Sequence, residues 1–189
     1  MPGNEPPYLG QDCVTPYRRS EVLLRGVWSL VQATLFRWSP RPLHAWRAFL
    51  LRAFGADIQK IGEVVVFPTA QITFPWKLTL SPRAMVGPGV ILYNPGRITL
   101  GRGANISQRA HLCAGSHDYR RWSMPLEAAP ITIGANVWIA AEVFVGPGVE
   151  VGELSVVGAR SVVVRSLPAQ MICVGNPCRP VRPRDPPAT

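Results

Sequence analysis

An aliphatic residue recurs every six positions along the second half of the chain. From residue 133 onward the repeat has no break, and its members are Ile133, Ile139, Val145, Val151, Val157 and Val163. A small residue follows each one except Val163, and the position four residues on is small or apolar. A strict period of six fits neither a single helix nor a hairpin. It is typical of a hexapeptide β-helix, in which three hexapeptides form one coil of about eighteen residues.

The same spacing continues upstream with two interruptions. Its members there are Leu80, Val86, Leu92, Leu100, Ile106 and Leu112, preceded less regularly by Ile61 and Phe67. A short bulge covers 94–99, and a longer excursion covers 118–130. We expect the aliphatic residues to stack in an axial core and the small residues to form tight corners. About five coils fit this length. Ordinary antiparallel strands with glycine turns are the alternative, which the constant phase disfavours.

Two helices are predicted before the repeat. The first covers 20–40, with Ser20 as its N-cap. Its polar residues, Glu21, Arg25, Ser29 and Gln32, form one narrow stripe. The second has Pro42 in its first turn and ends at Gly55. The predicted domains are a flexible segment at 1–19, a helical cap at 20–56, a β-helix at 57–181 and a flexible tail at 182–189.

The net charge of +9 indicates anionic partners. No Lys/Arg-rich block or aromatic–basic alternation is present, which argues against nucleic acid. Arginines are concentrated in the cap and the tail. The cap is too short to span a bilayer. Two interpretations of it stay open: a lid over the open end of the β-helix, and peripheral membrane contact through residues 20–54.

The cysteines point to a reducing compartment. The chain has four, Cys13, Cys113, Cys173 and Cys178, and no Cys-x-x-Cys pair. Free thiols are therefore expected. The N-terminus lacks the basic and apolar regions of a signal peptide. We expect a cytoplasmic protein, with attachment to the inner face of the membrane as the alternative.

The C-terminal half resembles a known family. "ITIGANVWIAAEVFVGPGVEVGELSVVGARSVVVRSLP" and "CVGNPCRPVR" are similar to the hexapeptide-repeat acetyltransferases. "GSHDY" and "LFRWSPRPLHAWRAFLLRAFGA" look most like the colanic acid biosynthesis acetyltransferases. The resemblance implies an all-β, left-handed parallel β-helix and a homotrimer. It also implies acetyl-CoA as donor and a hydroxyl or amine acceptor, often on a sugar. A lipid-linked oligosaccharide acceptor would fit the alternative of peripheral membrane contact. An O-acetyltransferase of exopolysaccharide or other surface-glycan biosynthesis is therefore expected.

His117 is the predicted catalytic base, because it stands where the family carries its catalytic histidine. Acetyl transfer to a hydroxyl needs a group that removes the hydroxyl proton. Asp118, Glu127 or a backbone carbonyl could hold the imidazole. Asp118 alternatively forms an Asx-type turn. The backbone amide of Ala141 is the predicted oxyanion donor.

The remaining candidates concern the donor and the acceptor. The resemblance assigns Trp138 to the acyl-donor region, with packing against a neighbouring subunit as the alternative. It also implies close approach of the pantetheine arm at small residues and phosphate contacts at arginines. These donor candidates are Trp138, Ala141, Gly158, Ala159, Arg165, Arg179 and Arg182. The acceptor candidates are Tyr93, Asn94, Asp118 and Trp122.

Two other functions compete with this one. A metal hydratase of the γ-carbonic anhydrase type needs three histidines around zinc. The chain has only His44, His111 and His117, and His111 and His117 are expected on adjacent faces of one coil. No metal is therefore expected. The second alternative is a non-catalytic membrane-docking scaffold.

Overall fold

The computed structural model describes residues 17–185. Residues 1–16 of the predicted flexible segment, including Cys13, therefore lie outside the described residues. So do the last four positions of the predicted tail.

Two helices form the N-terminal cap. Helix α1 spans Arg19–Val31, a π-helical turn spans Gln32–Phe36, and helix α2 spans His44–Ala53. The predicted N-cap is wrong. The N-cap position lies two residues earlier, at Arg18, and has no side-chain cap. The predicted end of α2 is confirmed at Gly55, whose φ of +88° closes the helix in a conformation that favours glycine.

Three parallel sheets form the faces of a triangular prism. The first face contains β1 (Asp57–Ile58), β4 (Leu78–Leu80), β7 (Ile98–Leu100), β12 (Ile131–Ile133) and β15 (Glu150–Val151). The second contains β2 (Val65–Val66), β5 (Met85–Val86), β8 (Asn105–Ile106), β13 (Trp138–Ile139), β16 (Val156–Val157) and β18 (Met171–Gly175), to which β19 (Cys178–Pro183) adds antiparallel. The third contains β3 (Gln71–Ile72), β6 (Ile91–Tyr93), β9 (His111–Cys113), β14 (Phe144–Val145) and β17 (Val162–Val163). A left-handed parallel β-helix with a helical cap was predicted, and this fold is confirmed as five complete coils and a partial sixth.

The six-residue periodicity defines the core. Every aliphatic residue predicted from Leu80 to Val163 is at most 1% exposed. The predicted positions Ile61 and Phe67 are wrong by phase, and Val66 and Ile72 occupy the core instead. Two 3₁₀ turns, Ile61–Glu63 and Pro75–Lys77, lengthen the first coil, and the second of them shifts Val66 and Ile72 out of phase with Leu80.

The corners differ from the expectation in physical detail. The glycines that follow the aliphatic residues do not have a positive φ. Several of them instead lack room for a side chain. A Cβ on Gly134, for example, would lie 2.7 Å from the Glu153 nitrogen of the next coil. The positive φ falls two residues later, at non-glycine residues such as Asn136, Glu142 and Arg160. At these positions glycine is favoured by the close stacking of the coils, whereas Gly89, Gly103 and Gly148 occupy the positive-φ position of other corners.

The cap closes the N-terminal end of the prism. The Trp28 indole is fully buried and donates to the Ile72 carbonyl over 2.6 Å. Gln32 accepts from the Ile72 amide over 2.7 Å. These contacts satisfy backbone groups of β3, which supports the interpretation of the cap as a lid.

The β-helix extends further than predicted. Its boundary was expected at residue 181, but β19 continues to Pro183 and pairs with β18. Arg182 therefore belongs to this terminal hairpin and not to a tail.

Candidate active site

The long interruption of the repeat is an ordered hairpin. After β9 the chain forms β10 (Gly115–His117) and β11 (Leu126–Ala128), which pair antiparallel. It then rejoins the coils at β12, which pairs with β7. The excursion was predicted near 118–130 and begins about three residues earlier. We call the edge between the third and first faces, where this hairpin projects, the hairpin edge.

His117 ends strand β10, outside the coils. The expectation that His111 and His117 lie on adjacent coil faces is therefore wrong, because only His111 belongs to a coil strand. His117 is exposed, and its Nδ1 lies 2.6 Å from the Met124 carbonyl oxygen. A carbonyl can only accept, so Nδ1 carries the proton and Nε2 presents a lone pair. The imidazole is therefore held by a backbone carbonyl and not by the side chain of Asp118 or Glu127.

Asp118 forms the Asx-type turn. Its Oδ1 accepts from the Arg120 amide at 3.1 Å and from the Arg120 Nε at 2.8 Å. These hydrogen bonds from Arg120 lower the pKa of the Asp118 carboxyl. Asp118 therefore shapes the hairpin tip, and Glu127 pairs across from Ser116 in the hairpin ladder. Trp122 lies exposed on the same tip.

Tyr93 and Asn94 have different environments. Tyr93 is half-buried and packs at the base of the hairpin, where a Cβ on Gly115 would lie 3.2 Å from the Tyr93 ring. Asn94 is fully buried. It accepts from the Phe74 amide at 2.9 Å and donates to the Phe74 carbonyl at 2.7 Å. The prediction of Asn94 as an acceptor contact is wrong, because its amide is committed to the backbone of the preceding coil.

A polar cavity of about 400 Å³ lies between α1 and the third face. Its polar lining comprises Arg25, Ser29, Gln32, Gln71, Thr73 and Tyr93. Sequence reasoning missed this cavity. The polar stripe of the first predicted helix could have indicated the cavity, since Arg25, Ser29 and Gln32 of that stripe line it.

The donor candidates on the second face follow the axis of the prism. Trp138 is 47% exposed, and its indole donates to the Ser107 hydroxyl over 2.9 Å. It pairs with Val156, which pairs with Ile172, which pairs with Arg182. Arg179 is exposed on the same terminal hairpin. A line of residues thus runs from Trp138 to the arginines at the C-terminal end.

Ala141, Gly158 and Ala159 lie beside that face. They occupy the edge between the second and third faces, which we call the ladder edge. The Ala140 and Glu142 amides donate to Val157 and Gln108. The Ala141 amide has no such acceptor among the described residues. Gly158 lies close to the terminal hairpin, because a Cβ there would lie 2.8 Å from a side-chain methyl of the exposed Val174.

The candidates divide into two groups on one chain. His117, Tyr93, Trp122 and Arg165 belong to the hairpin edge. The other group belongs to the second face and the ladder edge: Trp138, Ala141, Gly158, Ala159, Arg179 and Arg182. In a triangular prism the hairpin edge lies opposite the second face. A single chain therefore does not bring His117 and Trp138 together.

The remaining described histidines and thiols do not form a metal site. Burial lowers the pKa of His111, whose Nε2 is buried without a hydrogen-bond partner. Within residues 17–185, no group of three or more His, Cys, Asp or Glu side chains is arranged to hold a metal ion. The three described cysteines are free thiols.

Comparisons with known proteins agree with this architecture. Residues 130–165 match the family described as bacterial transferase hexapeptide (six repeats). Two solved structures share the fold. A maltose O-acetyltransferase from Clostridium difficile 630 gives a TM-score of 0.78 at 23% identity, covering 89% of this chain and 90% of that one. The hexapeptide-repeat acetyltransferase VCA0836 of Vibrio cholerae O1 biovar eltor, complexed with acetyl-CoA, gives 0.76 at 27% identity, covering 87% and 89%.

A sequence relative extends the similarity to almost the whole chain. It is the Escherichia coli (strain K12) protein named "Putative colanic acid biosynthesis acetyltransferase WcaF". The two sequences are 50% identical over 168 residues, which cover 89% of this chain and 91% of the relative. The chain therefore belongs to the hexapeptide-repeat acetyltransferase family.

Proposed function

We propose that this protein transfers an acetyl group from acetyl-CoA to a sugar hydroxyl in the assembly of an exopolysaccharide or another surface glycan. The observation that carries the proposal is the contact between His117 and the Met124 carbonyl, which leaves Nε2 free to accept a proton. The similarity to WcaF and to the acetyl-CoA complex supports the reaction class.

His117 acts as the general base. Its Nε2 takes the proton of the acceptor hydroxyl while the hydroxyl oxygen attacks the thioester carbonyl carbon. The resulting tetrahedral intermediate carries a negative oxygen, which the Ala141 amide stabilises by a hydrogen bond. Collapse breaks the carbon–sulfur bond, and the imidazolium returns its proton to the CoA thiolate. The acetyl ester and free CoA are the products.

The donor lies along the second face and the ladder edge. The apolar surface of Trp138 packs against the donor near its acyl end. The pantetheine arm follows Ala141, Gly158 and Ala159, and Arg179 and Arg182 bind the phosphates. Arg165 contributes to phosphate binding from the hairpin edge of a neighbouring copy.

The active site is completed in a homotrimer. His117 and Trp138 lie on opposite sides of one prism, so the hairpin edge of one copy must meet the second face of another. The outward residues support this arrangement. The first face presents threonines, such as Thr79, Thr99 and Thr132, whereas the second presents apolar residues, such as Met85, Trp138 and Val156. Polar faces remain in water and apolar faces favour burial.

The acceptor is a sugar or a lipid-linked oligosaccharide. It enters the cavity between α1 and the third face, where hydroxyl, amide and guanidinium groups offer the hydrogen bonds that a sugar needs. Tyr93 lies between this cavity and the base of the hairpin. Trp122 and Asp118 lie at the hairpin tip and complete the acceptor site. A lipid-linked acceptor brings the enzyme to the inner face of the membrane.

Replacement of the base tests the proposal. We expect His117→Ala to lower acetyl transfer by about 10² or more, measured as CoA thiol release with lipid-linked and nucleotide-linked sugars. The control is Ser116→Ala, which alters the adjacent exposed side chain. Light scattering checks that the oligomer persists. Equal turnover of His117→Ala and the parent protein would remove His117 from catalysis. If the folded parent protein transfers no acetyl group to any such acceptor, the result would favour the alternative function, a non-catalytic membrane-docking scaffold.

A further inference from the structure

Helix α1 presents its polar stripe to the protein and its apolar face outward. Glu21 forms an ion pair with Lys77 at 3.6 Å, and Gln32 binds the Ile72 amide. The Arg25 guanidinium lies 5.2 Å from the Tyr17 ring centroid. Glu21, Arg25 and Gln32 therefore face the first coils, whereas Ser29 stays exposed. This orientation is the reverse of that expected for a surface helix in water.

The outward face of the cap is strongly apolar. Leu23 is 71% exposed, Leu30 is 66% exposed and Trp38 is 83% exposed. The exposed residues continue onto the turn and α2, where Leu35, Trp38, Leu43 and Trp46 line one concavity. Trp46 also stacks on Phe49. We define the outer cap surface as the exposed side chains of Leu23, Leu30, Leu35, Trp38, Leu43, Trp46 and Phe49. Soluble proteins rarely leave such a patch in water.

The charge of the cap is almost entirely positive. Residues 17–54 contain seven arginines and one acidic residue, Glu21, which is paired with Lys77. Five of the arginines are exposed: Arg18, Arg19, Arg37, Arg41 and Arg52. A cap that combines exposed apolar and aromatic side chains with exposed arginines has the composition of a surface that binds the interface of an anionic bilayer.

We propose that the outer cap surface docks on an anionic lipid bilayer. Leucine and tryptophan side chains enter the interfacial layer, and the arginines bind lipid phosphates. A second copy of the same surface is a poor occupant. It would oppose arginines to arginines, and the cap offers no unpaired carboxylate to neutralise them. No helix within residues 17–185 has the length and apolarity to cross a membrane, so the contact is peripheral.

This inference deepens the proposed function, on which its biological purpose rests. A lipid-linked acceptor is confined to the membrane, and docking would hold the acceptor cavity near it. Arg25, Ser29 and Gln32 line that cavity from the helix that carries Leu23 and Leu30. Three caps in one trimer would also bind together, which raises the apparent affinity of each weak contact.

Vesicle binding tests the inference without reference to activity. The full chain is sedimented with phosphatidylcholine vesicles that contain or lack phosphatidylglycerol. We expect binding to the anionic vesicles only, weakened by salt. The variant Leu23→Gln/Leu30→Gln/Trp38→Ser should lose binding, while Val164→Ser/Val181→Ser, which alters exposed apolar residues on the coils, should retain it. Arg19→Gln/Arg37→Gln should weaken binding by about tenfold or more. The variant Arg83→Gln/Arg102→Gln, which removes the same number of charges from the coils, should bind the vesicles as the parent protein does.

The outcomes separate this inference from the acetyltransferase proposal. His117→Ala should bind vesicles as the parent protein does, whatever its turnover. Absence of binding by the parent protein would overturn the inference, as would equal binding to neutral and anionic vesicles. A change of oligomeric mass in the triple cap variant, without vesicle binding by the parent, would identify another copy as the occupant. Circular dichroism confirms that each variant is folded.

Discussion

The imidazole of His117 is held by the carbonyl of Met124, seven residues along the hairpin, at 2.6 Å. Met124 has a φ of +41°, so its carbonyl direction depends on a left-handed backbone conformation. We expect Met124→Gly to keep kcat within about threefold, because glycine adopts this conformation readily. Met124→Ile should lower kcat by about tenfold or more, with little change in the KM for acetyl-CoA.

The control for this prediction is Gln170→Ile. Gln170 also has a positive φ, of +58°, but lies far along the chain from the hairpin. Its replacement should lower Tm and leave kcat unchanged. A loss of kcat in Gln170→Ile equal to that in Met124→Ile would show that backbone strain, not the position of the imidazole, explains the effect.

Asn94 should stabilise the fold without taking part in acceptor binding. Replacement by alanine leaves the buried Phe74 amide and carbonyl unpaired, and should lower the free energy of unfolding by about 2–3 kcal/mol. Asn105→Ala is the matched control, because the Asn105 Oδ1 is buried without a partner. Asn105→Ala should lower the free energy of unfolding by less than Asn94→Ala does. Urea unfolding measures both, and a larger loss for Asn105→Ala would contradict the assignment.

Arg47 should be the main polar anchor of the cap. It is fully buried and donates to the carbonyls of Val66, Pro40 and Arg41 over 2.6, 2.9 and 2.6 Å. We expect Arg47→Met to lower the free energy of unfolding by about 3 kcal/mol, because these acceptors lose their donors. The exposed Arg52→Met should change it by less than about 0.5 kcal/mol. Similar Tm values for the two variants would refute the prediction.

His111 should make the fold less stable in mild acid. Burial lowers its pKa, and its ring packs edge-on against Phe144 at 5.5 Å between centroids. The unfolded chain, with an ordinary pKa of about 6.5, then binds more protons than the folded one. Stability is complete above that pH and is lost as the pH falls toward the lower folded pKa. In His111→Leu, urea unfolding should vary less between about pH 7.5 and about pH 5.5. Equal pH dependence in both proteins would argue against burial of the ring.

The thiol of Cys173 should resist alkylation in the folded protein. Burial, together with the neighbouring Cys178, raises its pKa to about 11. The half-buried Cys113 should therefore react with iodoacetamide faster by a factor of about ten or more, followed by peptide mass spectrometry. Unfolding in urea should abolish the difference. Comparable labelling of Cys173 and Cys113 before unfolding would contradict the prediction.

The sequence alone determined the coils and identified His117 as the candidate base. The six-residue period sufficed because each aliphatic residue meets its counterpart one coil away, so one geometric constraint repeats along the chain. The period failed for Ile61 and Phe67, where two 3₁₀ turns alter the length of the first coil. His117 was found from its motif, and the hairpin that carries it was predicted as a loop.

Only the tertiary structure decided which groups those residues meet. Asn94 is polar, and nothing in the chain indicates that backbone groups twenty residues upstream occupy it. The partner of His117 is a carbonyl that every residue possesses, so no sequence pattern identifies Met124. The polar stripe of α1 was visible in the sequence. Its direction was not, because periodicity gives the faces of a helix and only packing decides which face meets the protein.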